Sequence, residues 1–409
     1  SHDDWYIKGQ STSVVDGNQT IGGFTLNGNN RALAHGVSIV GRSNVTIEDM
    51  SFLNINDTAL MVVGLEWWED ADPDFRLGSP PPSWATHCTI RNVRTTACAL
   101  RPLQSAIWVT TLQDSLLDNV VVDESAASGG RGNAIKGWPG FLKHTVIRHS
   151  SFIVEPSLSD PIPMEIWNWM SDSEVHHCLF KGGYLSLVSG NASGGTWALR
   201  FHDNVIDGTN VRGAGHELAL SDLDFYDNYA FDYGLSIWVT GHGWTAGTAG
   251  IHNVRLRNNI IKNPSPSGIY LTTDASGSGP LSDIQILNNV IDGGQGPWGS
   301  KDGVFAAANS GHAISNMKIQ NNIIQHQDNA VVLSGQVTSP TVSHNDYFDV
   351  RNGGGDNLSV DPRFAGTGSS ANEIYALTAA SPVIDQGTDV GLPYTGSAPD
   401  LGASEFSQP

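Results

Sequence analysis

Apolar and polar residues alternate in short runs that recur along most of the chain. In a representative run, residues 254–261, Val and Leu alternate with Arg, then two asparagines follow and two isoleucines end the run. A period of two is typical of a β-strand with one buried face, and these runs lack a helical period. The pattern therefore predicts short β-strands.

A polar dipeptide recurs at the same point of these runs. Its usual spacing is roughly 24 to 33 residues, a period that indicates stacked repeats. The dipeptides are Glu48-Asp49, Arg91-Asn92, Asp118-Asn119, Arg148-His149, His176-His177, Asp203-Asn204, Asp227-Asn228, Asn258-Asn259, Asn288-Asn289, Asn321-Asn322 and Asn345-Asp346.

A stack of such repeats buries apolar faces that no single repeat can bury alone. Like residues of successive turns then lie about 4.8 Å apart, so an inward asparagine can hydrogen-bond the turns above and below it. These bonds pair backbone groups that would otherwise be buried without partners. We therefore predict an all-β fold, a single-stranded right-handed parallel β-helix of about eleven turns with an Asn ladder and loop insertions.

The length of the chain fits one elongated domain, because the core of a solenoid grows along its axis. We expect this single domain to span residues 1–409. Within it we expect an N-terminal entry over residues 1–30, repeat turns over 31–350 and a closing segment over 351–409.

A second alternating run precedes each dipeptide and predicts a second strand in every turn. Alternation places inside the solenoid Ile107, Ile135, Ile166 and Leu218. It places on one outward sheet face Trp108, Lys136, Trp167 and Ala219.

The formal net charge of −20 restricts the partners of this protein. Nucleic acid requires a basic footprint, and an acidic chain is equally unsuited to an anionic membrane. No apolar run approaches the length of a membrane span. We expect no nucleic-acid partner, no membrane insertion and a secreted or periplasmic location. The start at Ser-His-Asp-Asp fits either a mature secreted protein or a trimmed chain. The sequence leaves the oligomeric state open.

Cysteines and histidines offer few metal ligands. Three cysteines leave at least one thiol unpaired, and Cys178 fits a small buried position. The pair His176-His177 looks like a metal motif, but His177 and His149 share the asparagine column, so a structural ladder role is predicted for both. A Ca²⁺ site remains compatible with the sequence because loop oxygens bind calcium without regular spacing.

The end of the chain carries a further pattern. It reads Asp-Pro-Arg-Phe at 361–364, Ser-Pro-Val-Ile-Asp-Gln-Gly at 381–387 and Pro-Asp-Leu-Gly-Ala-Ser-Glu-Phe at 399–406. Together with the asparagine dipeptides, it resembles the closing segment of bacterial extracellular pectate-lyase-like β-helix proteins, over about residues 20–406. The resemblance implies a carbohydrate-active protein, but lyases, glycoside hydrolases, epimerases and phage tailspikes share this fold, so the fold does not choose the reaction.

Aromatic side chains dominate the outward face. Exposed aromatics on a sheet are unusual unless a ligand or a loop covers them, and sugar rings stack on indoles. We therefore predict a polysaccharide-binding groove lined by Trp108, Trp138, Trp167, Trp169, Trp238 and Tyr270. The alternative is that an insertion, residues 65–87, packs over these rings. Shorter insertions at 241–244 and 296–298 are candidates for a groove wall.

Two carboxylates on this face suggest glycoside hydrolysis. Alternation places Glu165 and Glu217 in one outward column, two turns apart with Tyr184 between them. This separation suits the wider carboxyl spacing of inverting hydrolases. Glu165 is then the general acid, and Glu217 or Asp222, with Asp224 close by, assists water. This interpretation requires no cofactor. The structural alternative for Glu165 is an ion pair with Lys136.

Lys136 suggests a second chemistry. The alignment places it between Trp108 and Trp167, where a desolvated lysine can abstract a proton. Such a base suits β-elimination on a uronate glycan, with Arg131 or Arg101 neutralising the carboxylate. The structural alternative is a cation–π sandwich.

Four hypotheses follow. A secreted glycoside hydrolase is favoured over a polysaccharide lyase because the protein has few cations to compensate a polyanion. A non-catalytic carbohydrate-binding β-helix would use the tryptophans without the carboxylates. An epimerase is least favoured because no Asp-Pro-His motif is present.

Overall fold

The computed structural model describes most of the chain. It covers residues 5–29, 35–64, 83–98, 105–126, 133–158, 161–189, 199–208, 216–231, 237–240, 250–264, 267–273, 279–293, 302–308, 311–355 and 357–407. Within these ranges, it describes only the backbone of residues 5–12, 138–140, 167–169, 189 and 240.

The described residues form parallel β-strands wound into a right-handed parallel β-helix, as the alternation predicted. The chain divides into two compact units: Ser1–Arg200 with Asn204–Val211, and Phe201–Asp203 with Arg212–Pro409. The expectation of one domain over 1–409 stays a prediction.

Strands account for nearly all regular structure. Those of the first half are β1 Trp5–Gly22, β2 Thr25–Asn27, β3 His35–Leu53, β4 Leu60–Val63, β5 Ala85–Thr86, β6 Thr89–Thr96, β7 Ser105–Thr110, β8 Leu112–Gln113, β9 Leu116–Glu124, β10 Asn133–Lys143, β11 Val146–Arg148, β12 Ser151–Val154, β13 Ile162–Ser171, β14 Ser173–His176, β15 Leu179–Lys181, β16 Leu185–Ser189, β17 Leu199–His202 and β18 Val205–Asp207.

The second half continues the same pattern and adds one short helix. Its elements are β19 His216–Ala219, β20 Leu223–Tyr226, β21 Tyr229–Phe231, β22 Ile237–Thr240, β23 Ile251–Arg257, β24 Ile260–Lys262, β25 Ser267–Thr272, β26 Leu281–Leu287, β27 Val290–Asp292, β28 Asp302–Ala308, β29 Ile314–Ser315, β30 Lys318–Gln320, β31 Ile323–Gln325, β32 Asn329–Gly335, β33 Val337–Thr338, β34 Thr341–Ser343, β35 Asp346–Phe348 and α1 Ala371–Ile374. No helix among the described residues is long and apolar enough to cross a membrane.

The core of each unit consists of apolar side chains stacked in register. One fully buried stack of the first unit contains Val37, Leu60, Ile107, Ile135, Met164 and Leu185. In the second unit, Phe201 and Phe225 stack with ring centroids 5.1 Å apart. The four residues predicted to lie inside are indeed buried: Ile107, Ile135, Ile166 and Leu218.

The recurring dipeptide straddles two different columns. The first column has left-handed backbone angles, which Asn, Asp and His tolerate better than other side chains. It contains Asp49, Asn92, Asn119, His149, His177, Asp203, Asp227, Asn258, Asn288, Asn321 and His344. The second column points inward, one residue later. The inward position after His149 is Ser150, and after His177 it is Cys178, so the prediction that both histidines occupy the inward column was wrong.

Inward asparagines of the second unit form a continuous chain of amide hydrogen bonds. Each donates from its side-chain and backbone nitrogens to the side-chain oxygen of the next, at 2.9–3.1 Å, along Asn228, Asn259, Asn289, Asn322, Asn345 and Asn357. The first five are at most 2% exposed, so the side chains supply partners to backbone groups that water cannot reach.

The closing segment packs along the side of the second unit. Val383, Leu377 and Leu401 join a buried cluster with Val290 and Ile323. Asn321 donates to the carbonyl of Thr388 at 2.8 Å and accepts from its N–H at 2.9 Å. Near the N-terminus, β1 pairs in parallel with β3, so residues 5–22 form part of a turn.

Candidate functional site

One outward column of the first unit carries the predicted charged residues. Strand register places in it Ser38, Met61, Trp108, Lys136, Glu165 and Ser186. Ser186, not Tyr184, therefore follows Glu165, and Glu165, not Trp167, follows Lys136. Both predicted neighbours were wrong by two residues, a shift that leaves each side chain on the predicted face of the sheet.

Lys136 and Glu165 form a buried ion pair. The Lys136 Nζ lies 2.7 Å from Glu165 Oε2, and each residue is 6% exposed. Asn133 donates from Nδ2 to the same carboxylate oxygen at 2.5 Å. Lys136 Nζ also lies 5.9 Å from the Trp108 ring centroid, within cation–π range. The ion pair that the sequence offered as the structural alternative for Glu165 is thus present.

Asn133 contributes an unsatisfied hydrogen-bond acceptor to this site. Its Oδ1 is buried and has no hydrogen-bond partner among the described residues, although Nδ2 of the same side chain is engaged. A buried acceptor without a donor costs free energy. The pair therefore lies in a polar environment that is not fully satisfied.

A row of aromatic rings occupies the outward column of the second unit. Register aligns Glu217 with Trp238, Trp238 with Tyr270 and Tyr270 with Phe305, on β19, β22, β25 and β28. The ring centroids of Trp238 and Tyr270 are 6.5 Å apart, and those of Tyr270 and Phe305 are 5.4 Å apart. We call Trp238, Tyr270 and Phe305 the aromatic row. All three are partly exposed, whereas Glu217 is 9% exposed.

Phe305 is the member that sequence reasoning missed. Its signal was the alternation of Asp302-Gly303-Val304-Phe305-Ala306, which places Val304 inside and Phe305 outside. In the strand that carries Trp238, Ile237 pairs with Ile269, whereas the alternation aligned Leu235 with Ile269, a shift of two residues.

Asp222 and Asp224 are held by structural contacts. Asp224 forms a bidentate ion pair with Arg257: Arg257 Nε donates to Oδ1 at 3.0 Å, and Nη2 donates to Oδ2 at 2.8 Å. The Arg257 guanidinium lies 3.8 Å from the Tyr226 ring centroid. Asp222 has left-handed angles and accepts from Asn253 Nδ2 at 2.6 Å. A water-activating role for Asp222 stays a prediction.

His216 precedes Glu217 and is buried. Burial lowers the pKa of its imidazole to about 3. His216 is therefore neutral at neutral pH and is not an imidazolium beside Glu217.

Several predicted residues lie outside the described part of the chain. Arg131 and Arg101 are among them, as are residues 65–82, 241–249 and 294–300, which contain most of the predicted insertions. The side chains of Trp138, Trp167 and Trp169 are likewise not described. Their predicted roles in substrate binding stay predictions.

One histidine cluster in the first unit has metal-ligating potential. Ligand nitrogens of His149, His176 and His177 lie within 4.8 Å of one another. It is the one group of three metal-ligating side chains found among the described residues.

Comparison with known proteins finds similarity in structure but not in sequence. No protein-family model and no curated protein matches the chain. The pectate lyase Pel9A is 13% identical with a TM-score of 0.39, covering 89% of this chain and 88% of that chain. The A-module of mannuronan C-5 epimerase AlgE6 from Azotobacter vinelandii is 11% identical with a TM-score of 0.42, covering 84% and 91%. A tailspike protein of E. coli bacteriophage HK620, in complex with a pentasaccharide, is 14% identical with a TM-score of 0.41, covering 85% and 60%.

Proposed function

We propose that this protein is an extracellular glycoside hydrolase that binds a polysaccharide along the aromatic row. The observation that carries the proposal is the register of Glu217 with Trp238, Tyr270 and Phe305 in one outward column on neighbouring strands. A carboxyl group thereby adjoins a line of partly exposed rings.

The aromatic row suits the apolar faces of sugar rings. The ring planes of Trp238 and Tyr270 differ by 32°, and those of Tyr270 and Phe305 differ by 36°. The three rings therefore present one roughly continuous apolar surface. Aromatic surfaces with a few placed polar groups are typical of ligand sites. Trp238 Nε1 is buried and has no hydrogen-bond partner among the described residues.

Glu217 is our candidate for the general acid. Its carboxyl group is largely shielded from water and adjoins the aromatic row, where a general acid would meet the bond between two bound sugars. Hydrolysis requires a second carboxyl group to activate water. We assign this role to Asp222, which follows the Glu217 strand in the same unit.

The ion pair of the first unit argues against Glu165 as the acid and Lys136 as a lyase base. A general acid or base must reach the substrate, whereas Lys136 Nζ and Glu165 Oε2 contact each other at 2.7 Å and each residue is only 6% exposed. We therefore assign this pair a structural role. Elimination with Lys136 as base is the alternative reaction.

The proposal is tested with a panel of neutral and acidic glycans. Wild-type protein is expected to release reducing ends without the ultraviolet absorbance of an unsaturated uronate. Glu217→Gln is expected to lose turnover while still binding glycan. Tyr270→Ala and Phe305→Ala are expected to weaken binding, measured by affinity electrophoresis.

Tyr394→Ala is the matched control, because Tyr394 is 42% exposed and is not a member of the row. It is expected to bind as the wild type does. Absorbance that grows together with reducing ends would replace hydrolysis by elimination. Binding without any product would leave a carbohydrate-binding protein, and binding unaffected by Tyr270→Ala and Phe305→Ala would contradict the proposed surface.

A further inference from the structure

Three imidazoles of the first unit converge at one corner of the solenoid. His149 follows β11, and His177 follows β14 one turn later, since Arg148 pairs in register with His176. All three rings are at least partly exposed, and their ligand nitrogens lie within 4.8 Å of one another. Imidazole nitrogens are ligands that zinc, copper and nickel prefer, whereas calcium requires oxygen.

The rings meet edge to face rather than by stacking. His176 Nδ1 lies 2.8 Å from His177 Nδ1. Two nitrogens bound to one zinc ion at ordinary bond lengths are about 2.9 to 3.4 Å apart, depending on the bond angle. The three ring planes are inclined by 63–85° to one another, with centroids 5.0–5.7 Å apart.

Asp118 orients one of the rings. Its Oδ1 lies 3.0 Å from His149 Nδ1, and its Oδ2 accepts from Arg148 Nη2 at 2.9 Å. With Nδ1 engaged by a carboxylate, Nε2 of His149 is the nitrogen left for a metal. In zinc sites, a ligating histidine usually donates its other ring N–H to a carboxylate. This bond fixes the tautomer of the ring and raises the basicity of the ligating nitrogen.

The left-handed backbone at this corner does not by itself require histidine. His149 and His177 occupy the left-handed column, with φ of 48° and 53°. In earlier turns the same position holds Asp49, Asn92 and Asn119, whose short side chains bond one another at 2.9 Å. Asparagine therefore meets the conformational requirement of this corner.

We propose that His149, His176 and His177 bind one divalent d-block cation such as zinc, with Asp118 as a positioning residue and a water molecule completing the coordination.

Zinc titration of chelator-treated protein tests the proposal. Isothermal calorimetry is expected to give one equivalent of zinc, and calcium is expected to give no heat at this site. His149→Asn and His177→Asn keep a residue that the left-handed corner accepts, and each is expected to weaken zinc binding by at least about tenfold. Asp118→Asn is expected to weaken binding about ten- to a hundredfold without changing the stoichiometry.

His144→Asn is the matched control. His144 is an exposed histidine of the same unit with left-handed angles and two aspartates at 3.1 and 3.6 Å, and it belongs to no group of three metal-ligating side chains among the described residues. It is expected to bind zinc as the wild type does. The proposal is overturned if the wild type binds no zinc, if the double variant His149→Asn/His177→Asn binds it equally well, or if only His144→Asn loses it. Far-ultraviolet circular dichroism establishes that each variant is folded.

Discussion

Lys136 Nζ lies 2.7 Å from Glu165 Oε2 on the adjacent strand, and only 8% of each side chain is exposed. Removing one partner of such a pair leaves a buried charge uncompensated, which costs about 3–5 kcal/mol. We expect Lys136→Met and Glu165→Gln each to lower the free energy of unfolding by this order. The double variant should lose much less than their sum. Urea unfolding of the four proteins measures the coupling.

The exposed pair Arg200–Glu174 is the control for this cycle. Its charged atoms are 2.9 Å apart, but 53% of the arginine side chain is exposed. Its coupling energy is expected to be below about 1 kcal/mol. If Glu165→Gln is instead as stable as the wild type and inactive, the structural assignment of Glu165 is wrong and its predicted catalytic role is restored.

Asn259 is expected to be among the most sensitive positions of the second unit. Its side chain accepts from Asn228 and donates both to the Phe225 carbonyl and to Asn289. Asn259→Ala leaves several buried groups without partners, so we expect a loss of about 2–4 kcal/mol. Chemical unfolding followed by circular dichroism measures it.

Gln320→Ala serves as the comparison for Asn259. Gln320 is a strand residue of the same unit that is only partly buried and makes a side-chain bond to Ser343 at 3.1 Å. Its loss is expected to cost less than about 1 kcal/mol. Equal effects of the two substitutions would mean that the inward amides add nothing beyond ordinary strand contacts.

Asp346 is expected to destabilise the protein as the pH rises. Its Oδ2 is buried without a hydrogen-bond partner among the described residues, and burial raises the pKa of the carboxyl group to about 6. The folded state then holds the proton more tightly than the unfolded state, so the free energy of unfolding falls between about pH 4 and pH 6. The loss is of the order of 2–3 kcal/mol.

Asp346→Asn should remove this dependence. At pH 8 the variant is expected to melt above the wild type, and near pH 4 the two melting temperatures should converge. Asp349→Asn, at an exposed corner of the same turn, should leave the pH profile unchanged. A wild-type stability that rises from pH 4 to pH 6, with Asp346→Asn following it, would refute this account.

The three thiols are expected to be unreactive in the native protein. Cys88, Cys98 and Cys178 are free and at most 3% exposed, and burial raises their pKa values to about 11, 12 and 12. The thiolate is the reactive form. A disulfide reagent such as Ellman's should therefore modify none in buffer and all three in guanidinium. Rapid modification in buffer would indicate local opening at one of these positions.

The sequence predicted which face a residue occupies better than it predicted the neighbour in the next turn. A shift of two or four residues preserves the alternation, so Tyr184 and Ser186 satisfy the same pattern. Only backbone pairing decides that Ser186 follows Glu165. For this reason the inward residues were correct while the order within the outward column was not.

The asparagine dipeptide was ambiguous for a different reason. A left-handed corner and a buried amide position both favour asparagine, and they are adjacent in the chain. Asn258 and Asn259 satisfy the two requirements together, whereas His177 satisfies only the first and Cys178 stands at the second. The contacts that define the Lys136–Glu165 pair and the histidine cluster depend on which turns become neighbours.

The amide chain of the second unit also determines how such a protein can change in length. Every member donates in the same direction and presents the same acceptor, so removal of one complete repeat, such as residues 259–288, would bring Asn289 to the place of Asn259 with identical bonding. Gain or loss of a whole repeat would thus leave the hydrogen-bonding pattern of the inward asparagines unchanged. The last repeats are different, because Asn288 and Asn321 also bond to Asp400 and Thr388 of the closing segment, which fixes their number.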